Sequence, residues 1–117
     1  KFHREGLKVS KYLVRATYSA DAFKGMINNP HDRENAIMSL VGALGISVDS
    51  LYFSPSTAEA IMVIESDSQK NASLMMVVLS SGSLLDASVI DLISSAEMKA
   101  AMETGKELAS QYKAANS

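Results

Sequence analysis

The sequence predicts an α+β domain, a four-stranded antiparallel sheet with helices on one face, in the order βαββαβ and followed by one further helix. Three observations carry this expectation. Two strand-like segments, 46–53 and 59–65, follow one another with only a turn between them, which a parallel sheet would not allow. Apolar residues alternate with period two in four segments and recur every three or four residues in the stretches between them. The chain has 117 residues, of which 47% are hydrophobic and 21% charged, enough for one core without disulfide or zinc support. Such an order is that of ferredoxin-like folds.

Segment 11–18 (KYLVRATY) is dense in aromatic and β-branched residues and closes at Ser19 to Asp21, so it reads as the first strand. Its alternation sets Tyr12, Val14, Ala16 and Tyr18 on one face and Leu13, Arg15 and Thr17 on the other. Segment 22–28 suits a short helix broken by Asn29 and Pro30. Asp32 is a helix cap for a longer helix reaching Leu44, with a stripe of Ala36, Ile37, Leu40, Val41 and Leu44 and with Gly45 as its stop.

Strict alternation over 46–53 would place Ile46, Val48, Ser50 and Tyr52 on one side and Ser47, Asp49, Leu51 and Phe53 on the other. The turn SPSTA leads into the strand 59–65, making a hairpin. Cap candidates at 66–69 precede a helix over 71–79, marked by Ala72, Met75, Met76 and Leu79. Residues 85–93 form the fourth strand, with Leu85, Ala87, Val89, Asp91 and Ile93 on one face. A last helix over 95–115 starts at Ser94 or Ser95, carries Glu97 in its first turn, and presents Met98, Ala101, Met102, Leu108 and Tyr112 as a contact stripe. Residues 1–10 read as an N-terminal arm and 11–117 as one domain. Both faces of the sheet carry apolar groups, so a partner sheet is expected on the side without helices, giving a homodimer or higher homo-oligomer.

Composition excludes several chemistries. Zero Cys removes thiolate catalysis, iron–sulfur clusters and Cys-type zinc sites. Eleven basic against 13 acidic residues leave a formal net charge of -2, so no nucleic-acid partner is expected. No apolar run approaches the roughly 20 residues a membrane-spanning helix needs. Cytoplasm is therefore the default expectation, while Lys1 in place of Met leaves room for a removed leading segment. His3 and His31 are the only histidines, and seven Met lie at positions suited to core packing, so neither metal nor haem is called for and no cofactor is expected. The SSGS cluster at 80–83 lacks the lysine and spacing of a phosphate loop.

His31 stands at a helix start, where backbone N–H groups favour an anion and an imidazole can move a proton near neutral pH, which makes it the catalytic candidate. A surface-loop histidine is the alternative. Arg33 either holds a ligand carboxylate or lies solvated in the first turn. Arg15 and Asp91 are polar anomalies within strands; a pair between them across the sheet would explain both without a ligand.

The opening KYLVRATYS, the 33–44 region, the hairpin SLYFSPSTAEAIMVIE and the closing SSAEM together resemble the GYD-domain family over about 12–98. That resemblance implies a place in the dimeric α/β-barrel superfamily. In the Gly-Tyr-Asp signature region, Ser56 takes the glycine position, Ala58 the tyrosine and Glu59 the aspartate, so only the carboxylate survives and the chain resembles a divergent member. It implies fold and oligomerisation rather than an activity. Glu59 would serve proton transfer if burial raised its pKa, or else an edge salt bridge. Tyr18, Tyr52 and Arg15 would join it in a cleft holding an oxygen-rich ligand. The expectation is thus a homo-oligomeric small-ligand-binding or structural protein. The alternative is a cofactor-independent isomerase or monooxygenase acting on a small oxygenated organic substrate, with His31 or Glu59 moving the proton.

Overall fold

A computed structural model describes residues 9–116. Strand β1 (Ser10–Tyr18) leads into two helices, α1 (Ala20–Asn28) and α2 (Arg33–Ala43), followed by the hairpin β2 (Ser47–Ser54) and β3 (Glu59–Ser66). Then come α3 (Ser68–Ser80), β4 (Leu84–Leu92) and α4 (Ser95–Ala109). The sheet order is β2-β3-β1-β4 and every pairing is antiparallel, so β1 and β3 occupy the centre. The α+β class and the four-stranded antiparallel sheet are those read from the sequence. His3 and most of the expected N-terminal arm lie outside the described residues.

The expected dimeric α/β barrel, and with it the place in that superfamily, is overturned: the sheet is open, and its edge strands β2 and β4 do not pair with each other. Four strands are about half of the eight or so that give a barrel with a filled interior. Helices α2 and α3 instead cover one face. Val14, Met62 and Ile64 from the central strands meet Val41, Ile46 and Leu74 there as the buried cluster.

Local chemistry fixes the helix starts. Asp32 accepts the Glu34 N–H, Asp67 accepts the Lys70 N–H, and Ser94 forms a reciprocal capping box with Glu97. After α2 the chain reverses at Gly45, whose φ of +74° is costly for any residue with a Cβ.

Strand β2 departs from simple alternation. The register shifts between Val48 and Ser50, so Asp49 is an extra residue, and Val48 and Leu51 both pack against the core while Ser50 and Tyr52 lie opposite. Ile46, Val48 and Tyr52 therefore do not share a face. A second shift beside Thr17 leaves Leu85 bulged and exposed, while Leu84 returns to the helix side. Helix α4 ends at Ala109, six residues short of the expected Ala115, and all its residues are exposed, including the Met98, Met102 and Leu108 stripe. Of the seven methionines only Met62 is buried, with Met75 packed beside the cluster. No helix among the described residues is long and apolar enough to cross a membrane.

Candidate functional site

The register of the sheet puts three alanines in one row, Ala60 of β3 opposite Ala16 of β1, and Ala16 opposite Ala87 of β4. Alternation places this row on the helix side, two residues from the packed row of Met62, Val14 and Val89. The methyl groups of Ala16 and Ala60 cannot fill the height between a sheet and its covering helices, so a cavity of about 250 Å³ opens above these two. Val14, Ala16, Ala60 and Met62 form its floor, Ile37, Leu40, Leu74 and Val78 its roof, and Tyr18, Arg33, Ser81 and Ser83 its polar rim.

Tyr18 and Arg33 also border an outer recess of about 360 Å³ with Phe23, Met26, His31, Asp32, Phe53 and Glu59. The start of α2 delivers the polar members. Its Asp32 cap orients the first turn, so Arg33 folds back over β1 with its guanidinium carbon 5.8 Å from the centre of the Tyr18 ring. The Arg33 Nη1 lies 3.3 Å from His31 Nε2, and His31 Nδ1 lies 2.9 Å from the Asn29 carbonyl oxygen. Both contacts are met when Nδ1–H donates to that carbonyl and Nε2 accepts from Arg33. The Arg33 Nε is buried without a hydrogen-bond partner, and no carboxylate among the described residues pairs with this guanidinium.

Glu59 is held differently. On the helix-free face, Arg15 Nε and Nη2 donate to its two carboxylate oxygens at 2.9 Å each, and the Thr57 hydroxyl donates at 2.8 Å. The Arg15 bonds first, then the Thr57 bond, hold the Glu59 carboxyl below the ordinary glutamate range, outweighing desolvation of a side chain only 10% exposed. The raised pKa that a proton-transfer role for Glu59 requires is not met, because burial arrives with a bidentate cation. The signature region serves this pairing structurally: Ala58, at φ +60°, accepts the Tyr18 N–H at its carbonyl and ties the hairpin turn to the end of β1.

Of the seven residues singled out by sequence, the recess gathers Tyr18, His31, Arg33 and Glu59. Arg15 reaches it only through Glu59. Tyr52 is 74% exposed on the opposite face, one strand beyond Ile61. Asp91 sits opposite Tyr12 on the helix side, whereas Arg15 sits opposite Ser88 on the other, so the expected Arg15–Asp91 pair does not form. An odd offset of three positions from the register partner puts the two side chains on opposite faces, and neither can reach through the sheet. The alanine row was missed, since single alternations show Ala16 and Ala87 facing the core but only strand register aligns them with Ala60. Among the described residues no cluster of three or more His, Asp or Glu is placed to hold a metal ion.

Fold and site together define a class: an open-sheet α+β domain with an apolar cavity beneath two helices and an arginine at its rim. A family model for the GYD domain matches residues 12–102, and the chain belongs to that family. Comparison with curated proteins and with solved structures finds no match.

Proposed function

We propose that this GYD-domain protein is a homo-oligomeric small-ligand-binding protein whose ligand occupies the cavity between the sheet and helices α2 and α3. The observation that carries this reading is an apolar cavity of about 250 Å³ with the unpartnered Arg33 Nε buried at its rim. A void of this size in a packing defect would be lined by apolar atoms alone, whereas binding sites combine apolar walls with a few convergent polar groups. Self-association is supported by the helix-free face, where Leu13, Ile61 and Val63 are only half-buried, Ile90 is 42% exposed and Tyr52 is 74% exposed.

Amide NMR with 1-decanol as an apolar probe tests the cavity reading. Saturable shifts centred on Ala16 and Ala60 are expected in the wild type and none in Ala60→Leu, whose longer side chain fills the space. Wild-type spectra that do not respond, or equal responses in both proteins, would overturn it. Sedimentation equilibrium tests the second half, with a single-chain mass at micromolar concentration as the opposing result.

A further inference from the structure

Resting on that cavity reading, we infer that the ligand is an apolar monocarboxylate, its hydrocarbon body over the alanine row and its carboxylate against the Nε edge of Arg33. Three observations on the site converge. Among the described side chains lining the cavity, Arg33 is the only one with a formal charge, and none of them is an acid that would neutralise it. The other two cations placed over the sheet, Lys11 and Arg15, are both paired with carboxylates, Lys11 with Asp49 and Glu65 and Arg15 with Glu59. Arg33 has its Nη1 directed to His31 while its Nε is buried without a partner, which leaves that edge to donate to a carboxylate oxygen. An unmet buried donor on a charged group is costly, and an anion at this edge removes that cost.

The charge of the head group follows from the surroundings of the rim. Asp32 and Glu59 border the adjoining recess, Asp32 accepting the Glu34 N–H as a helix cap and Glu59 already satisfied by Arg15 and Thr57. With Arg33 the one unpaired cation and Asp32 and Glu59 the carboxylates among the described residues around the rim, a single negative charge is matched and a phosphate dianion is repelled. The length of the body follows from volume. An apolar cavity of about 150 Å³ holds benzene, so one of about 250 Å³ has room for a body of about ten carbons.

Decanoate, 1-decanol and inorganic phosphate are the probes, each titrated into the full chain below micellar concentrations and followed by calorimetry and by the Ala16 and Ala60 amide shifts. Decanoate is expected to bind about tenfold or more tightly than 1-decanol, and phosphate not to saturate. Arg33→Met should bring decanoate down to the affinity of 1-decanol while leaving 1-decanol unchanged, and Arg33→Lys, which keeps the charge but not the planar edge, should fall between. Equal binding of decanoate and 1-decanol to the wild type, or unchanged decanoate affinity in folded Arg33→Met, would overturn the carboxylate assignment and leave the cavity reading standing. Saturable phosphate binding without decanoate binding would overturn the ligand class. If neither decanoate nor 1-decanol binds, both readings fail together.

Discussion

Replacing Ile64 and Ile90 separately by alanine distinguishes the two faces of the sheet. Ile64 of β3 is 0% exposed within the cluster formed with Val14, Val41, Ile46, Met62 and Leu74, whereas Ile90 of β4 is 42% exposed and stands opposite Leu13 on the helix-free face. Each substitution removes three carbons, and at about 0.8 kcal/mol per buried methylene that is about 2.4 kcal/mol of transfer free energy at a fully buried site. At Ile64 the surrounding cluster cannot close on the gap, and the void carries the loss to about 3–4 kcal/mol. At Ile90, where burial is incomplete and water fills the space, about 1.4 kcal/mol is expected. At about 4 °C per kcal/mol for a chain of this length, the midpoints should fall by about 12–16 °C and about 6 °C. Urea and thermal denaturation at two protein concentrations measure this, and the cost at Ile90 should grow with concentration if the helix-free face is a contact between copies. Equal losses at both sites, independent of concentration, would refute the reasoning, because they would mean that the chain itself buries both faces.

Two further outcomes follow from the electrostatics and the caps. Because the folded Glu59 carboxyl is held below its unfolded value, its pair with Arg15 contributes stability above the ordinary glutamate range and loses it as pH falls through the folded value. The stability gap between wild type and Glu59→Gln should therefore shrink as thermal melts are taken from pH 7 to below about pH 4, and a gap that stays constant would contradict the pairing. Ser94→Ala removes a capping box worth about 1 kcal/mol, yet α4 is exposed throughout, so far-UV ellipticity should drop while the cooperative midpoint stays in place. A shifted midpoint would show that α4 is docked.

The features legible along the chain are those decided within a few residues. Asp32 and the Ser94–Glu97 pair can be read as helix starts because a cap bonds to N–H groups two or three positions away. The faces of β1 are legible because period two needs no partner, and Val14 and Tyr18 are accordingly buried while Arg15 is exposed. The same reasoning fails on β2, where one extra residue at Asp49 reverses the phase, and a bulge is a property of two strands rather than of one. It fails also at the end of α4, where composition favours helix to Ala115 but the helix stops at Ala109.

The candidate site divides in the same way. His31 and Arg33 could be singled out because they flank a cap, and Tyr18 because it closes a strand. Which of them meet could not. Arg15 finds Glu59, 44 positions away, rather than Asp91, because the antiparallel register sets Glu59 diagonal to it on one face while Asp91 belongs to the other.

By itself the sequence determined that this chain builds a four-stranded antiparallel sheet with helices on one face, that its chemistry excludes cysteine, and where most of its elements begin. Those are consequences of periodicity, capping and composition, each local. Only the tertiary structure decided that the sheet stays open, that Ala16 and Ala60 meet side by side in the floor of a cavity, and that Arg33 keeps an unmet donor at its rim while Arg15 does not. Register and packing decide these, since they join residues that lie tens of positions apart and carry no mark of one another in the chain.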